Sequence, residues 1–202
     1  SLNITEKVSS FTQKFPYAAY RYQNIGMAAK KVNNTLLTPG DVFSMNSKVG
    51  ERTKANGFTT GFVVGEGGRF REDMGGGVST AATTLWTAAV CAGLERVEQG
   101  SHLIWICRYR PGLEATVALG QLDLKFRNDS PSGLLITTEM TKTALTVTMW
   151  GTKQYDEVKA VSGPKQNVKA FTKEEASGPS CVPQGGVPGF SIDVDRIFMK
   201  GG

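Results

Sequence analysis

The sequence predicts an α+β fold with a mainly antiparallel sheet and two or three helices. Helical apolar spacing occurs in the first half of the chain, at 19–33 and 78–92. Strand-like alternation dominates the second half and includes a hairpin pattern at 133–151. Helices that are segregated from several consecutive strands are typical of α+β folds with antiparallel sheets. The length of 202 residues, with 40% hydrophobic residues, suits one domain, alone or with a short appendage.

The first third of the chain contains one predicted helix and one predicted strand. Residues 1–17 are polar with scattered aromatic residues, and we treat them as an N-terminal extension. The segment 19–33 predicts a helix that ends before the turn TPGD, and its apolar side carries Ile25, Ala28, Ala29 and Val32. The sequence FTTGFVVG at 58–65 predicts a short strand. The glycine-rich and charged segment that follows, up to residue 77, predicts a long flexible loop.

The most distinctive segment is a triple glycine at 75–77 that leads directly into a predicted helix. Its apolar residues fall at helical spacing, at Val78, Ala81, Ala82, Leu85, Ala89 and Ala92. Gly93 supplies a C-terminal stop. A helix that begins in a glycine turn presents backbone N–H groups at its positive end, and Ser79 and Thr80 lie in that first turn. Such a helix start can hold an anion, a carboxylate or a developing oxyanion.

The second half of the chain predicts strands joined by turns. The segment HLIWICRY at 102–109 is β-rich, and RPGLEA after it predicts a turn. Residues 116–128 alternate in part, with one face formed by Leu122, Leu124 and Phe126. Two further strands, at 133–140 and 144–151, predict a hairpin across the three residues between them.

The composition changes near the C-terminus. Residues 152–188 contain few large apolar side chains and predict a loose peripheral segment. Residues 189–200 recover strand alternation and predict a strand that returns to the sheet as an edge strand. We therefore divide the chain into an N-terminal extension at 1–17, a central domain at 18–151 and a peripheral segment at 152–202.

The charge pattern narrows the class of partner. The net charge is +5, and the basic residues are spread along the chain rather than gathered in the dense block that marks nucleic-acid binding. We therefore expect no nucleic-acid partner. The mild basic excess suits anionic envelope polymers and suits ordinary solubility equally well. No stretch approaches 18 consecutive apolar residues and no signal peptide is visible, so the sequence predicts no membrane span.

Metal and cofactor chemistry is not expected. One histidine and three scattered cysteines offer no metal-ligand spacing. The triple glycine is not followed by Gly-Lys-Ser/Thr, so it is no phosphate-binding loop, and it lacks the spacing of a dinucleotide fingerprint. Its glycines favour close backbone approach, either to a ligand or to a neighbouring strand. Cys91 and Cys107 are expected to be buried thiols, whereas Cys181 lies in a Pro/Gly-rich loop.

Two residues are the candidates for a catalytic role. His102 is the only histidine, so any Ser–His or Cys–His mechanism must use it as the base. The alternative is a polar residue that marks the end of the loop QGSH. Ser79 is either a nucleophile, or a donor in a carboxylate site, or a structural residue. In the structural case Ser79 or Thr80 is the N-cap of the helix.

Charged residues flank the turn after His102. Arg108 is a candidate for bidentate binding of a substrate carboxylate, and Glu114 for orienting His102 or Arg108. The alternative is an ion pair on a surface turn, which contributes little stability. Arg52, in the segment VGERT, has the same two interpretations.

Four segments resemble VanW-like proteins, which are bacterial cell-envelope proteins named after an accessory gene of glycopeptide-resistance clusters. GGGVSTAATTLWTAAVCAGLE resembles the signature helix of that family. NIGMAAKKVNNTLLTPGDVFSMNSKVGERTKANGF resembles its first helix and the turn after it. HLIWICRYRPGLEATV and LDLKFRNDSPSGLLI resemble its later strands, and the resemblance covers roughly residues 18–150.

The resemblance implies a function at the cell wall. Some clostridial relatives are L,D-transpeptidases whose nucleophile is the Cys of a GGGxCQ motif, but this chain has Ser79 and Thr80 at those two positions. A helix start does not ionise a serine hydroxyl, which needs an adjacent general base, and the resemblance implies His102 in that role. If the chain is catalytic, stem peptides of peptidoglycan are the expected substrate, and the expected binding residues are Arg52, Gly76, Gly77, Thr80, Arg108 and Glu114.

Two further expectations come from the same resemblance. The location is extracytoplasmic, in the cell envelope, with a membrane anchor outside this sequence. The alternative to catalysis is an envelope module that binds peptidoglycan or a protein partner in the same cleft. The replacement of the Cys by Ser79 favours this second function.

Overall fold

A computed structural model describes residues 2–175, 177–179 and 181–202. The helices of this part of the chain are α1 (Ala19–Val32), α2 (Met45–Val49) and α3 (Val78–Cys91), besides a short 3-10 turn at Glu66–Gly68. The strands before α3 are β1 (Glu6–Lys14), β2 (Thr35–Leu37), β3 (Val42–Ser44), β4 (Thr60–Val64) and β5 (Phe70–Met74). The strands of the central region after α3 are β6 (Glu95–Glu98), β7 (Lys125–Arg127), β8 (Leu134–Met140) and β9 (Ala144–Gly151). The C-terminal strands are β10 (Glu157–Ser162), β11 (Gln166–Lys169), β12 (Gly189–Ser191) and β13 (Val194–Met199). All pairings are antiparallel, which confirms the predicted α+β class.

The largest sheet has four strands in the order β1-β9-β8-β2. The predicted hairpin is present as β8 and β9, with Met140 opposite Leu145 beside the turn. β1 comes from the predicted N-terminal extension and yet pairs along β9, with Phe11 opposite Val147. The inner residues of β9, at Leu145, Val147 and Met149, are buried, so one face of this sheet forms the floor of the core.

Two helices pack on that floor. The predicted apolar side of α1 is buried, and the helix ends at Asn33, whose N–H donates to the carbonyl of Ala29. All residues of α3 except Ser79 and Cys91 are buried. A helix that is buried all round lies in the centre of a domain. Its small residues suit this position, since Ala82, Ala88 and Ala89 are fully enclosed.

A second sheet, in the order β3-β7-β6, closes the other side of the core. The rings of Phe43 and Phe126 stack at 4.8 Å on facing positions of β3 and β7. The hairpin β4–β5 corrects the sequence prediction of a long flexible loop before residue 77, because Val63 pairs with Arg71 and Thr60 with Met74. The charged residues of β5 interrupt the apolar alternation from which a strand is predicted.

The segment 99–118 also corrects the prediction. The β-rich stretch 102–109 forms turns instead of a strand, and isolated bridges join only Gly100 to Thr116 and Ala118 to Leu122 within this region. Only part of its apolar content is buried, since Tyr109 and Leu113 are 3% exposed whereas Leu103 is 73% exposed. Cys107 is exposed rather than buried, and Cys91 is half-buried.

The C-terminal residues form two separate ribbons. β10 pairs with β13, and β11 pairs with β12. The predicted return of 189–200 to the main sheet is therefore wrong, because these strands pair with the segment that was expected to be loose. In the part of the chain that the structure describes, no helix is long and apolar enough to cross a membrane.

Candidate functional site

The triple glycine packs against a neighbouring strand. A Cβ on Gly76 would lie 2.3 Å from the carbonyl carbon of Gly61 in β4, so this position has no room for a side chain. Gly75 and Gly77 have φ values of +78° and +94°, which side chains rarely adopt. Of the two expected reasons for close approach, the neighbouring strand accounts for Gly76.

The side chain of Asn24 binds the backbone of this glycine turn. This side chain is fully buried in α1, and its Nδ2 donates to the carbonyls of Gly76 and Thr59, each at 2.9 Å. Its Oδ1 accepts the N–H of Thr59 at 2.8 Å. Because a peptide group is planar, fixing the Gly76 carbonyl also fixes the direction of the following N–H. Sequence reasoning missed Asn24, although a polar residue beside Ile25 on an apolar helix face is a recognisable signal.

α3 begins without a side-chain cap. The N-cap is Gly77 in the left-handed conformation. The N–H of Val78 donates to Gly75 at 3.1 Å, and the N–H of Thr80 donates to Gly77 at 2.9 Å. The structural interpretation of Ser79 or Thr80 as the N-cap is therefore wrong, because both residues already lie inside the helix and their hydroxyls face the segment 109–116.

Those two hydroxyls have specific partners. Ser79 Oγ and Thr116 Oγ1 are 2.9 Å apart, and Thr80 Oγ1 lies 2.6 Å from the hydroxyl of Tyr109. Tyr109 also accepts a hydrogen bond from Arg108 Nη2 at 3.2 Å. Neither Tyr109 nor Thr116 was predicted as a site residue, because only the folded chain brings them to the start of α3.

His102 and Glu114 form a buried pair. His102 Nδ1 lies 2.8 Å from Glu114 Oε2, and the two side chains are only 7% and 8% exposed. The imidazole also stacks on the ring of Tyr109, with ring centres 5.8 Å apart. Glu114 thus contacts His102, which was one of the two predicted arrangements, and it lies inside the protein rather than on a surface turn.

The second ring nitrogen of His102 remains available. Among side-chain nitrogens and oxygens of the described residues, Trp105 Nε1 alone is both sealed from solvent and without a hydrogen-bond partner. His102 Nε2 has no partner in the same part of the chain, so it must retain contact with solvent. A histidine whose Nδ1 is held by a carboxylate and whose Nε2 is free has the arrangement of a general base.

Ser79 and His102 belong to one neighbourhood without a direct bond between them. The N–H of Thr116 donates to the carbonyl of Gly100 at 2.9 Å, which joins the segment that contains His102 to the segment that contains Glu114. His102 lies two residues after Gly100, and its partner Glu114 lies two residues before Thr116. Ser79 reaches this bridge through Thr116. The structure therefore brings the helix start and the imidazole to the same pair of segments.

The two arginines occupy different environments. The side chain of Arg52 packs on Gly75, and its guanidinium donates to Asn46 Oδ1 at 2.7 Å and to Gly50 O at 3.0 Å. Burial lowers the pKa of Arg52, and the charge of Asp123 partly opposes this. Arg108 is exposed and lies over the ring of Tyr109 at 4.7 Å. No carboxylate of the described residues lies within ion-pairing distance of either guanidinium.

Other regions offer less. No group of three or more His, Cys, Asp or Glu side chains capable of holding a metal occurs among the described residues. A cavity of about 230 Å³ lies between β1, the end of α3 and the residues after β9, with Ser9, Cys91 and Tyr155 in its wall. The chemically distinctive groups are thus those at the start of α3.

Sequence comparison assigns most of the chain to a family. Residues 20–150 match the sequence profile of VanW like protein. The chain belongs to the VanW-like family. The matched residues contain α3, His102 and Glu114, together with the arginines described above.

Two curated relatives are similar to this VanW-like chain. The uncharacterized protein YoaR of Bacillus subtilis is 32% identical over 130 residues, which cover 64% of this chain and 43% of YoaR. The vancomycin B-type resistance protein VanW of Enterococcus faecalis is 27% identical over 122 residues, which cover 56% of this chain and 43% of that protein. The chain thus spans less than half the length of the curated relatives it matches. No solved structure matches it significantly.

Proposed function

We propose that this VanW-like domain acts in the bacterial cell envelope on stem peptides of peptidoglycan, by acyl transfer of the L,D-transpeptidase type. The observation that carries the proposal is the buried His102–Glu114 pair with its free Nε2, which lies two residues along from the Gly100–Thr116 bridge, where Thr116 contacts Ser79. A serine nucleophile requires a base of this kind, because a helix start alone does not ionise a hydroxyl.

The reaction begins with a proton transfer. Glu114 accepts the Nδ1–H of His102, which leaves the lone pair on Nε2. The Ser79 hydroxyl turns from Thr116 towards Nε2, directly or through one water, and gives up its proton as its oxygen attacks a stem-peptide carbonyl. The protonated imidazole then gives this proton to the leaving amine, and an ester forms between the acyl group and Ser79.

The second half of the reaction releases the acyl group. The amine of another stem attacks the ester, His102 takes the amine proton, and Ser79 recovers its own. The N–H groups at the start of α3, around Gly76 and Gly77, stabilise the negative oxygen that forms in both halves. The turn is rigid enough for this because Gly76 is wedged against β4 and tied to Asn24.

Substrate binding is assigned to groups around this start. Stem peptides carry carboxylates, and Arg52 and Arg108 are guanidinium groups without a carboxylate partner in the described part of the chain. A planar guanidinium binds a carboxylate through two parallel hydrogen bonds. Thr80 is buried and bonds the hydroxyl of Tyr109, so its part in the site is to hold Tyr109 beside the helix start.

A second function is favoured by one observation. The Ser79 hydroxyl is engaged by Thr116 at 2.9 Å rather than by His102. In this case the domain binds stem peptides, or a protein partner, in the same cleft without forming an ester. The arginines and the N–H groups of the helix start serve binding alone.

Mass spectrometry separates the two functions. The chain is incubated with purified disaccharide-tetrapeptides, and intact-protein masses report an ester while product masses report 3–3 cross-links. We expect an adduct on the native chain that is lost in Ser79→Ala and in His102→Ala. Ser79→Cys, which installs the nucleophile of the catalytic relatives, is expected to increase the adduct. Ser10→Ala is the control, because the Ser10 hydroxyl contacts Thr148 on the outer face of the main sheet.

The negative result is equally informative. If neither the native chain nor Ser79→Cys forms an adduct, and Ser79→Ala binds the same tetrapeptides as the native chain, the acyl-transfer proposal is abandoned in favour of the binding module. Calorimetry with the tetrapeptides measures that binding.

A further inference from the structure

Three hydroxyls on one face of α3 contact a single segment. Ser79, Thr83 and Thr87 are four residues apart, so they lie one above another along the helix. Their partners run in the opposite direction along the chain, since Ser79 contacts Thr116, Thr83 contacts Ala115 and Thr87 contacts Leu113. We call this set of contacts the hydroxyl ladder.

The ladder holds the backbone on both sides of Glu114. Thr83 Oγ1 donates to the carbonyl of Ala115 and accepts the N–H of the same residue, each at 3.0 Å. Thr87 Oγ1 lies 2.9 Å from the carbonyl of Leu113 and shares its proton with the carbonyl of Thr83. Glu114 stands between these two anchored residues.

The backbone of this segment is not paired along a neighbouring strand. Leu113, Glu114 and Ala115 are buried, and the segment belongs to no extended ladder of strands. A buried backbone group without a partner is costly, about 1–3 kcal/mol. The threonine hydroxyls therefore replace a neighbouring strand on the α3 side of the segment. Together with Gln99, whose Nε2 donates to the carbonyl of Glu114 at 2.7 Å, they fix the backbone around Glu114.

We propose that Thr83 and Thr87 are positioning residues for the His102–Glu114 pair. They act through the backbone of Leu113 and Ala115, and they thereby fix which ring nitrogen of His102 carries the proton. The importance of this pair rests on the proposed function, but its geometry is measured without any activity assay. Thr83 and Thr87 are thus part of the site, although they touch no substrate.

Nuclear magnetic resonance tests this directly because the chain has one histidine. Histidine labelled with ¹⁵N gives one pair of ring signals, which report the protonated nitrogen and the exchange of its proton with water. In the native chain we expect the proton on Nδ1. Thr83→Val keeps the shape of the side chain and removes the hydroxyl. We expect it to produce both tautomers and to accelerate exchange of the Nδ1 proton about tenfold or more.

Three variants control for packing and folding. Thr84→Val removes a hydroxyl that is also fully buried in α3 but donates to Thr80 O within the helix. We expect its His102 signals to match those of the native chain. Thr83→Ser retains a hydroxyl and is expected to restore the native tautomer. Thr87→Val removes only one shared bond, so we expect a smaller change of the same kind in a chain that still folds.

Two outcomes would overturn the proposal. One is that His102 keeps its native tautomer and native proton-exchange rate in both Thr83→Val and Thr87→Val when these variants are folded. The other is a change in Thr84→Val as large as that in Thr83→Val, which would assign the effect to general packing. Failure of acyl transfer is a different result, since it would leave the His102 signals and their dependence on Thr83 unchanged.

Discussion

The region around α3 and the C-terminal segment 152–202 achieve order by different means. In the first, buried polar groups are matched one by one, as Asn24 is to Thr59 and Gly76. In the second, two ribbons pair their backbones while most side chains face solvent, and every residue from 161 to 175 is exposed. One region is held by enclosure and the other by strand pairing.

The C-terminal segment is attached to the rest by separate contacts. Arg196 donates to Leu94 O, and Arg110 donates to Ala160 O. Lys165 lies over the ring of Trp105 at 3.7 Å, which is a cation–π contact with the segment that carries His102. Such contacts position a ribbon but enclose little surface. The difference teaches that the precision of the site comes from burial around α3, and matched substitutions in the two regions test this.

The largest difference in unfolding free energy is expected between alanine substitutions of two phenylalanines, one in each region. Phe126 is fully buried and stacks on Phe43, whereas Phe171 is 45% exposed in the C-terminal segment. Phe126→Ala is expected to lower the free energy of unfolding by about 3–5 kcal/mol, through lost burial and a cavity. Phe171→Ala is expected to lower it by about 0.5 kcal/mol or less. Urea unfolding followed by tryptophan fluorescence measures both. Equal losses would contradict the contrast between the regions.

A smaller difference in unfolding free energy is expected between alanine substitutions of two glycines, one in each region. Gly76→Ala forces a Cβ to within 2.3 Å of the Gly61 backbone, which we expect to cost about 1–3 kcal/mol or more of unfolding free energy. Gly185 has no atom within 4 Å of the equivalent position and no positive φ. Gly185→Ala is therefore expected to be neutral or slightly stabilising. Thermal unfolding of the two variants compares them, and a Gly76→Ala chain as stable as the native one would show that β4 can move aside.

The sequence predicts the elements whose signals are local. α1, α3 and the hairpin β8–β9 have clear periodicity over many residues, and all three are present close to the expected bounds. Gly93 ends α3 with a φ of +81°, as a glycine stop requires. Local preference and tertiary packing agree in these elements.

Prediction from local periodicity is wrong where the hydrogen-bond partners of a segment are distant in sequence. The apolar run 102–109 resembles a strand, but its last residue and the residues after it form hydrogen bonds with α3 rather than with a neighbouring strand. β13 pairs with β10, which precedes it by more than 30 residues, so its position could not be read from alternation. Tertiary context decides such segments.

The candidate site likewise contains residues that the sequence predicts and residues that it does not. His102 is identified by elimination, since it is the only histidine, and Glu114 by its place after the turn. Tyr109, Thr116 and the ladder residue Thr83 have no sequence signal of their own. Their roles depend on α3 lying against 109–116, which is a property of the folded chain.

The smallest difference is expected between two glutamates in ion pairs. Glu98 accepts hydrogen bonds from Lys125 Nζ and from the N–H of Asp123, each at 2.8 Å, whereas Glu157 on β10 pairs with Lys159 at 2.9 Å. The bond from Lys125, followed by that from Asp123, holds the pKa of Glu98 below its usual value of 4.5. A carboxyl whose pKa is lower in the folded state contributes stability above its unfolded pKa, and this contribution is lost as the pH falls through the folded pKa.

Glu98→Gln should therefore lower the urea midpoint at neutral pH by a fraction of the Gly76→Ala effect, because both partners are partly exposed and screened by solvent. The gap between Glu98→Gln and the native chain should close as the pH falls below 4.5 and through the lower pKa of Glu98 in the folded chain. Glu157→Gln is the matched control, and its effect at neutral pH should be smaller, since its side chain and that of Lys159 are about half exposed. A gap for Glu98→Gln that stays constant with pH would show that its cause is packing rather than charge. The central region would then differ from the C-terminal ribbons in enclosure alone.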